Sequence, residues 1–193
     1  MRCLYCDKEI KKITIGSFLI RQDGLCLECR EGMRVKRKKI KIHGLQVETF
    51  FEYDSLFRSI LLQYKECCDE ALKDVFLHDL REYIFFRYHG YQIVPVPSSA
   101  KKLEERGFSH LELIFEGTGL RINSGLKMKE ELIQQGKSAS ERKKMIHNYY
   151  YEGEHIDKAL VVDDVLTTGS SLLGAYNALL GKTDRIRFLV LGI

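Results

Sequence analysis

The period of the apolar positions changes several times along the chain, and each change predicts an element. From Asp54 to Tyr88 apolar residues recur at helical spacing: Leu56, Ile60, Leu61 and Tyr64, then Ala71, Leu72, Val75, Phe76, Leu80 and Ile84. Asp54 stands where it would cap the first turn. Ahead of this stretch, Gly44 to Tyr53 alternates loosely and predicts a strand or hairpin arm. Tyr91 to Val96 predicts a short strand. Both prolines of the chain follow in Pro95-Val96-Pro97-Ser98-Ser99, and the chain must leave the sheet there because proline cannot donate to a central ladder. Phe108 to Phe115 predicts a helix broken at Gly117-Thr118-Gly119. Residues 118–150 carry three glycines and several lysines without a sustained period, with Ser138 and Glu141 marking one helix start as a capping box. Ala159-Leu160-Val161-Val162 then predicts a buried strand, Ser170 to Leu180 a helix, and Ile186 to Leu191 a final strand. Strand, helix and strand with short joints form a βαβ unit, so the fold class is α/β with a parallel sheet and a right-handed crossover.

Composition narrows the class. Of 193 residues 45% are hydrophobic and 30% charged, enough apolar surface for a folded chain. The length suits one ordinary domain and a small appendage. No stretch approaches the roughly 20 apolar residues that span a bilayer, and Met1-Arg2-Cys3 opens no signal-peptide core, so a cytoplasmic location is expected. Charge is uneven: residues 1–43 hold 12 Lys+Arg against 5 Asp+Glu, net +7, whereas residues 44–193 hold 19 against 22, net −3. The change follows Arg34-Val35-Lys36-Arg37-Lys38-Lys39-Ile40-Lys41 and predicts a division into residues 1–43, a metal module with a basic linker, and residues 44–193, the larger domain. The run repels itself and reads either as a solvated linker or as a phosphate-binding strip, with Lys36, Arg37, Lys38 and Lys39 as the nucleic-acid candidates.

In a cytoplasmic chain six cysteines point to ligands or small core residues rather than disulfides. Cys3-Leu4-Tyr5-Cys6 and Cys26-Leu27-Glu28-Cys29 are two C-x2-C turns with 19 residues between them, the spacing of a four-thiolate zinc site. Two intervening residues make a tight turn that aims both sulfurs at one ion, and two such turns complete a tetrahedron. With every position filled by protein, the zinc would be structural and would supply the folding free energy of a segment too small to bury its own core. Cys67 and Cys68 have no spaced partners and are expected as small helix residues, at least one buried. His43, His78, His89, His110, His147 and His155 are scattered, and no metal role is assigned to them.

The most specific pattern is Asp163-Asp164-Val165-Leu166-Thr167-Thr168-Gly169-Ser170-Ser171, between a predicted strand and helix. Its plainest reading is an acidic turn before an N-capped surface helix. Its functional reading follows from position, since open α/β sheets bind ligands beyond the carboxyl ends of their strands. Backbone N–H groups and the hydroxyls of Thr167, Thr168, Ser170 and Ser171 suit a phosphate, with the helix N-terminus adding its dipole. Asp163 and Asp164 repel phosphate but accept hydrogen bonds from sugar hydroxyls, directly or through hydrated Mg²⁺. A phosphorylated ribose with a second anionic group fits both. Tyr149-Tyr150-Tyr151 reads as stacking surface for bases or, more commonly, as the core and rim of a strand.

The acidic loop resembles the phosphoribosyl pyrophosphate (PRPP) motif of type I phosphoribosyltransferases, and nearly all 193 residues resemble the ComF family. The two cysteine turns match. Leu62-Gln63-Tyr64-Lys65 is similar to the family's Leu-Lys-Tyr helix. Val94-Pro95-Val96-Pro97 and Arg106-Gly107-Phe108 match its Pro-Val-Pro loop and Arg-Gly-Phe-Asn-Gln signature, and Gln135 and Arg142 correspond to its later Gln and Arg. Ser109-His110 departs from the usual Asn-Gln, and Gln63 from the usual Lys. The resemblance implies a five-stranded parallel sheet of the phosphoribosyltransferase type beside an N-terminal four-cysteine zinc module. It places Asp163 and Asp164 on the ribose hydroxyls, and Thr167, Thr168, Gly169, Ser170 and Ser171 on the 5′-phosphate. Ser98, Ser99 and Lys101 would lie near pyrophosphate and Arg106 would neutralise it, with Mg²⁺ accompanying PRPP. It further implies a role in natural transformation, with single-stranded DNA and a helicase-like ATPase as partners and recruitment to the membrane DNA-uptake machinery. The alternatives are an active phosphoribosyltransferase for a nucleobase or other nitrogen acceptor, and a PRPP-responsive regulator or scaffold with an inactive site.

Overall fold

The computed structural model describes residues 1–10, 23–129 and 149–193. The capping box at Ser138 and Glu141 and the positions Gln135 and Arg142 lie outside them.

The strands are β1 (Lys38–Ile42), β2 (Leu45–Phe51), β3 (Gln92–Pro95), β4 (Leu126–Met128), β5 (Tyr149–Tyr151), β6 (Ile156–Val165) and β7 (Thr183–Gly192). Five of them form one sheet in the order β1-β2-β7-β6-β3. β2, β7, β6 and β3 run parallel, while β1 is antiparallel to β2. The expected all-parallel five-stranded sheet is therefore corrected to a mostly parallel one. The cause is local: β1 and β2 are joined by His43 and Gly44, whose φ values of 49° and 81° are both positive, as a type I′ hairpin turn requires. β6 is buried continuously from Ala159 to Val162, as expected of a strand covered on both faces.

The basic run is not a linker. Residues 38–42 form the edge strand β1, with Ile40 and Ile42 half-buried on one face and Lys39 and Lys41 exposed on the other. Its charge conceals a two-residue period, and lysines on an outer strand discourage further edge-to-edge pairing. In the separate β4–β5 ribbon, Tyr149 and Tyr151 are buried and Tyr150 is exposed. That tyrosine run is thus the core and rim of a strand.

The helices are α1 (Leu27–Gly32), α2 (Ser55–Glu66), α3 (Arg81–Arg87), α4 (Ala100–Arg106), α5 (His110–Glu116) and α6 (Ser170–Leu179), with a 3-10 turn at Glu70–Val75. Asp54 caps α2 as expected, accepting the Phe57 N–H at 2.8 Å. The periodic stretch from Asp54 to Tyr88 is not one helix but α2, the 3-10 turn and α3. The break comes just after Glu66, where Cys68 adopts a left-handed φ of 54°. Both Cys67 and Cys68 are exposed, which corrects the expectation that one is buried: the helix ends before them and the chain turns outward. Phe57, Ile60 and Tyr64 of α2 pack with Phe50, Phe51 and Phe76 into a core that also takes in Cys3, Leu25, Cys26, Cys29 and Met33. Gly32 lies so close to Leu56 that a Cβ would collide with it. Among the described residues no helix is long and apolar enough to cross a membrane.

Candidate functional site

β3 and β6 are parallel neighbours with Pro95 opposite Val162, so both strands end at the same level. After β6 the chain passes through α6 to β7 on one side, whereas after β3 it passes through α4 and α5 to Ile122, which bridges Ile93 on the other side. Connections leaving in opposite directions open a crevice between adjacent strand ends, where open α/β sheets bind ligands. Ser98 and Ser99 stand on one rim. Asp163 to Ser171 form the other.

The loop opening α6 is small, polar and braced from behind. Gly169 has a φ of 74°, and a Cβ there would sit 2.9 Å from Ile42 and 3.2 Å from His43. Glycine is therefore required twice over, by conformation and by close approach. His43 Nε2 donates to the Thr168 carbonyl at 2.7 Å, which ties the loop to the β1–β2 turn. Thr167 and Thr168 are exposed, and the Thr168 and Ser170 hydroxyls lie 2.6 Å apart. Gly169 at the N-cap offers no side-chain acceptor; the Ser170 N–H makes only a long contact of 3.4 Å to Thr168 Oγ1, and the α6 N-terminus brings the positive end of its dipole to the loop. Tyr149 closes this side, with its hydroxyl on Ser171 and near the charge of Asp163, and burial pushes its pKa up to about 12.

The two acids occupy unlike environments. Asp164 is buried; its Oδ2 accepts from Lys65 Nζ at 2.7 Å and from His110 Nε2 at 2.5 Å. Burial alone would raise its pKa, but the His110 hydrogen bond and the Lys65 charge outweigh it and hold Asp164 below the usual carboxylate range. Asp163 accepts the Asp164 backbone N–H at 2.9 Å. Burial first, then the neighbouring Asp164 charge, push Asp163 up to about 8. Of the two, Asp163 is the harder to ionise.

The other predicted residues divide between the rim and the interior. Ser99 caps α4, accepting the Lys102 N–H at 3.4 Å, and Ser98 Oγ lies 3.4 Å from His110 Nδ1. Lys101 is exposed and pairs with Glu105 at 3.7 Å. Arg106 is directed inward: its side chain is 4% exposed, and it donates to the Lys65 carbonyl at 2.8 Å and to His110 Nδ1 at 3.1 Å. Lys65, His110 and Tyr149 belong to the site although the sequence singled out none of them for it. The signal available for His110 was its position, where the resemblance places a Gln, another side chain that both donates and accepts.

The four-cysteine centre comes together as the spacing implied. The Sγ atoms of Cys3, Cys6, Cys26 and Cys29 all lie within 4.8 Å of one another, and those of Cys6 and Cys26 are 3.6 Å apart. A tetrahedral site with metal–sulfur bonds of about 2.3 Å separates its sulfurs by about 3.8 Å, so the four thiols fit one ion. The turns are held together by the Leu4 N–H on the Gly24 carbonyl at 2.9 Å and the Cys26 N–H on Cys3 Sγ at 3.3 Å. Burial opposes ionisation of Cys3, but backbone N–H groups from Cys6, Cys26 and Tyr5 lower its pKa to about 7. Burial pushes the Cys29 thiol up. His155, Asp157 and Asp184 also come within reach of one another, all exposed, at the amino ends of β6 and β7.

The basic run splits over two faces. Lys36 and Lys38 pair with Glu52 at 2.7 and 2.9 Å, and their hydrogen bonds lower its pKa to about 2. Arg37 lies over the Tyr83 ring at 4.5 Å, a cation–π contact. Lys39 and Lys41 remain exposed to solvent.

No protein-family model matches the chain. It is 26% identical over 209 residues to competence protein ComFC of Streptococcus pneumoniae (strain ATCC BAA-255 / R6), covering 89% of this chain and 90% of that protein. It is 27% identical over 193 residues to competence protein ComFC of Bacillus subtilis (strain 168), covering 93% of this chain and 78% of that protein. Two relatives of the same name, each aligned over most of its own length and of this chain, support an assignment to the ComFC family.

Proposed function

We propose that this chain is a competence protein acting in DNA uptake, and that its crevice is a phosphoribosyltransferase-type site for PRPP or a related ribose phosphate. The observation that carries this reading is the Asp163–Ser171 loop: an acid pair at the end of β6, then four hydroxyls and an uncapped helix N-terminus across a switch point. The N–H groups of α6 with Thr167, Thr168, Gly169, Ser170 and Ser171 would hold the 5′-phosphate. Asp163 would accept from a ribose hydroxyl, and Ser98, Ser99 and Lys101 would face the pyrophosphate. Mg²⁺ binds through one or two carboxylates together with substrate phosphates and keeps several waters. With Asp164 held by Lys65 and His110, Asp163 is the carboxylate left for an ion that arrives with PRPP rather than waiting in a cage of its own. Four thiolates without a carboxylate or water position favour structural Zn²⁺ at the cysteine centre. Lys36, Arg37, Lys38 and Lys39 are the proposed contacts to single-stranded DNA or to a helicase-like ATPase, with Tyr83 available behind Arg37.

Calorimetry of the intact chain with PRPP and Mg²⁺ tests the crevice. Binding is expected in the wild type and should be lost in Asp163→Asn; unchanged binding in that variant would overturn the assignment. Screening the same mixture with a panel of nucleobases for released pyrophosphate distinguishes a binding module from a transferase. DNA contact is tested separately by affinity across a salt series, which should fall as salt rises.

A further inference from the structure

His110 is the meeting point of hydrogen bonds from three elements and one loop, yet the ribose-phosphate reading gives it no task. Nε2 lies 2.5 Å from Asp164 Oδ2 on β6. Nδ1 lies 3.1 Å from Arg106 Nη1 on α4 and 3.4 Å from Ser98 Oγ in the loop after β3. Its backbone carbonyl accepts the Tyr64 hydroxyl of α2 at 2.9 Å. The proton can be placed by elimination: a guanidinium only donates, so Nδ1 carries the lone pair and Nε2 carries the hydrogen. The ring is then neutral, and Nε2–H donates to the Asp164 carboxylate. Burial, which lowers the His110 pKa, favours the same neutral state.

These contacts close on themselves. Arg106 Nε donates to the Lys65 carbonyl at 2.8 Å, and Lys65 Nζ returns to Asp164 Oδ2 at 2.7 Å. Asp164, His110, Arg106 and Lys65 thus form a ring across β6, α5, α4 and α2. The His110 and Arg106 side chains are 6% and 4% exposed, so these two members are shielded from bulk water. Asp164 Oδ2 is claimed by two donors, and Asp163 is the more exposed acid.

We infer that His110 is a positioning residue that ties Asp164 to the Ser98 loop, fixing the gap between the carboxyl ends of β3 and β6 and leaving Asp163 as the acid offered to the ligand. The part concerning the ligand rests on the ribose-phosphate reading; the clamp itself does not. Three measurements on the full-length protein separate them. Imidazole ¹⁵N NMR of the wild type should show His110 as the neutral Nε2–H tautomer with a strongly downfield proton. Amide hydrogen exchange without ligand should accelerate by roughly tenfold or more in both the 96–99 and 163–169 segments of His110→Ala, the scale of one buried hydrogen bond left unmade. PRPP affinity with Mg²⁺ should fall by about tenfold in the same variant, and His110→Gln, whose amide still donates to Asp164, should recover most of both losses. An Nδ1–H tautomer, exchange that changes in only one segment, or failure of Gln to restore the exchange pattern would overturn the clamp. If the wild type binds no PRPP while both segments respond together, the clamp stands and the ligand reading falls. Should His110→Ala not fold, the tautomer and the His110→Gln exchange pattern decide alone.

Discussion

The four-cysteine centre and the crevice at the end of the sheet hold their chemistry in place by different means. Each pair of sulfurs comes from a single turn, 3–6 or 26–29, and two backbone contacts join the turns. In the crevice, the Lys65–Asp164 contact joins residues 99 positions apart, and His110 and Arg106 reach it from separate helices. A metal centre of that kind owes its shape to the ion and should fail as a unit. The crevice owes its shape to the whole fold and should weaken one contact at a time.

The largest expected effect falls on the first region. Removing the metal with a chelator, or replacing Cys26 with Ser, should abolish stoichiometric metal binding. It should also destabilise the chain more than any single change in the crevice, because structural zinc contributes on the order of 10 kcal/mol to the folding of such modules. Metal analysis beside thermal unfolding checks this, and metal-free protein that melts at the wild-type temperature would erase the contrast. Next in size, Lys65→Met leaves Asp164 partly buried without its ammonium partner. A cost of about 3 kcal/mol is expected, reduced if the exposed fifth of the Lys65 side chain admits water. Denaturant unfolding measures it, and Lys65→Met combined with Asp164→Asn should lose less than Lys65→Met alone.

A smaller and more diagnostic effect is the response to pH. Asp163 is pushed up to about 8, so it is protonated below that value and becomes a full acceptor only above it. If it receives the ribose, PRPP affinity should rise by up to roughly tenfold per unit below pH 8 and level off above it. Fold stability should move the other way: a carboxyl with a raised folded pKa binds more protons folded than unfolded, so its contribution declines from about pH 4 to about pH 8. Asp164, with a lowered pKa, contributes stability above the ordinary carboxylate range that is lost in acid. Asp163→Asn should flatten the stability trend near neutrality, and an affinity that ignores pH in the wild type would remove Asp163 from the ligand's contacts. The smallest effect concerns the basic edge. Glu52→Gln releases Lys36 and Lys38, so single-stranded DNA affinity should rise a fewfold, and its salt dependence should steepen by about 0.7 in slope for each lysine that gains a phosphate. Anisotropy titrations at several salt concentrations read it.

The same contrast explains what the chain discloses before folding. Two residues between cysteines fix a turn wherever it occurs, so the centre was readable from spacing. The Asp163–Ser171 loop was readable because a buried strand, a small polar loop and an apolar helix lie consecutively. Lys65 and His110 were not, because nothing local separates a helical lysine or one histidine among six from its neighbours; parallel pairing of β3 with β6 brings them together. The basic run misled for another reason. Its lysines dominate the composition of 34–41, and the alternation of Ile40 and Ile42 that makes it a strand is only two residues deep. From Asp54 to Tyr88 the helical period persists through the break after α2, since a 3-10 turn and a short helix keep apolar residues about three apart.

Cys67 and Cys68 are the two exposed thiols of the chain, immediately beyond α2 and next to Glu66, whose carboxylate lies 3.6 Å from Arg106. Four other thiols are gathered at the metal centre. A maleimide dye therefore has a natural attachment point beside the Glu66–Arg106 contact, where no ligand contact is proposed. With one of the pair replaced by serine, its emission would report strain in the ring around His110 without an engineered label site.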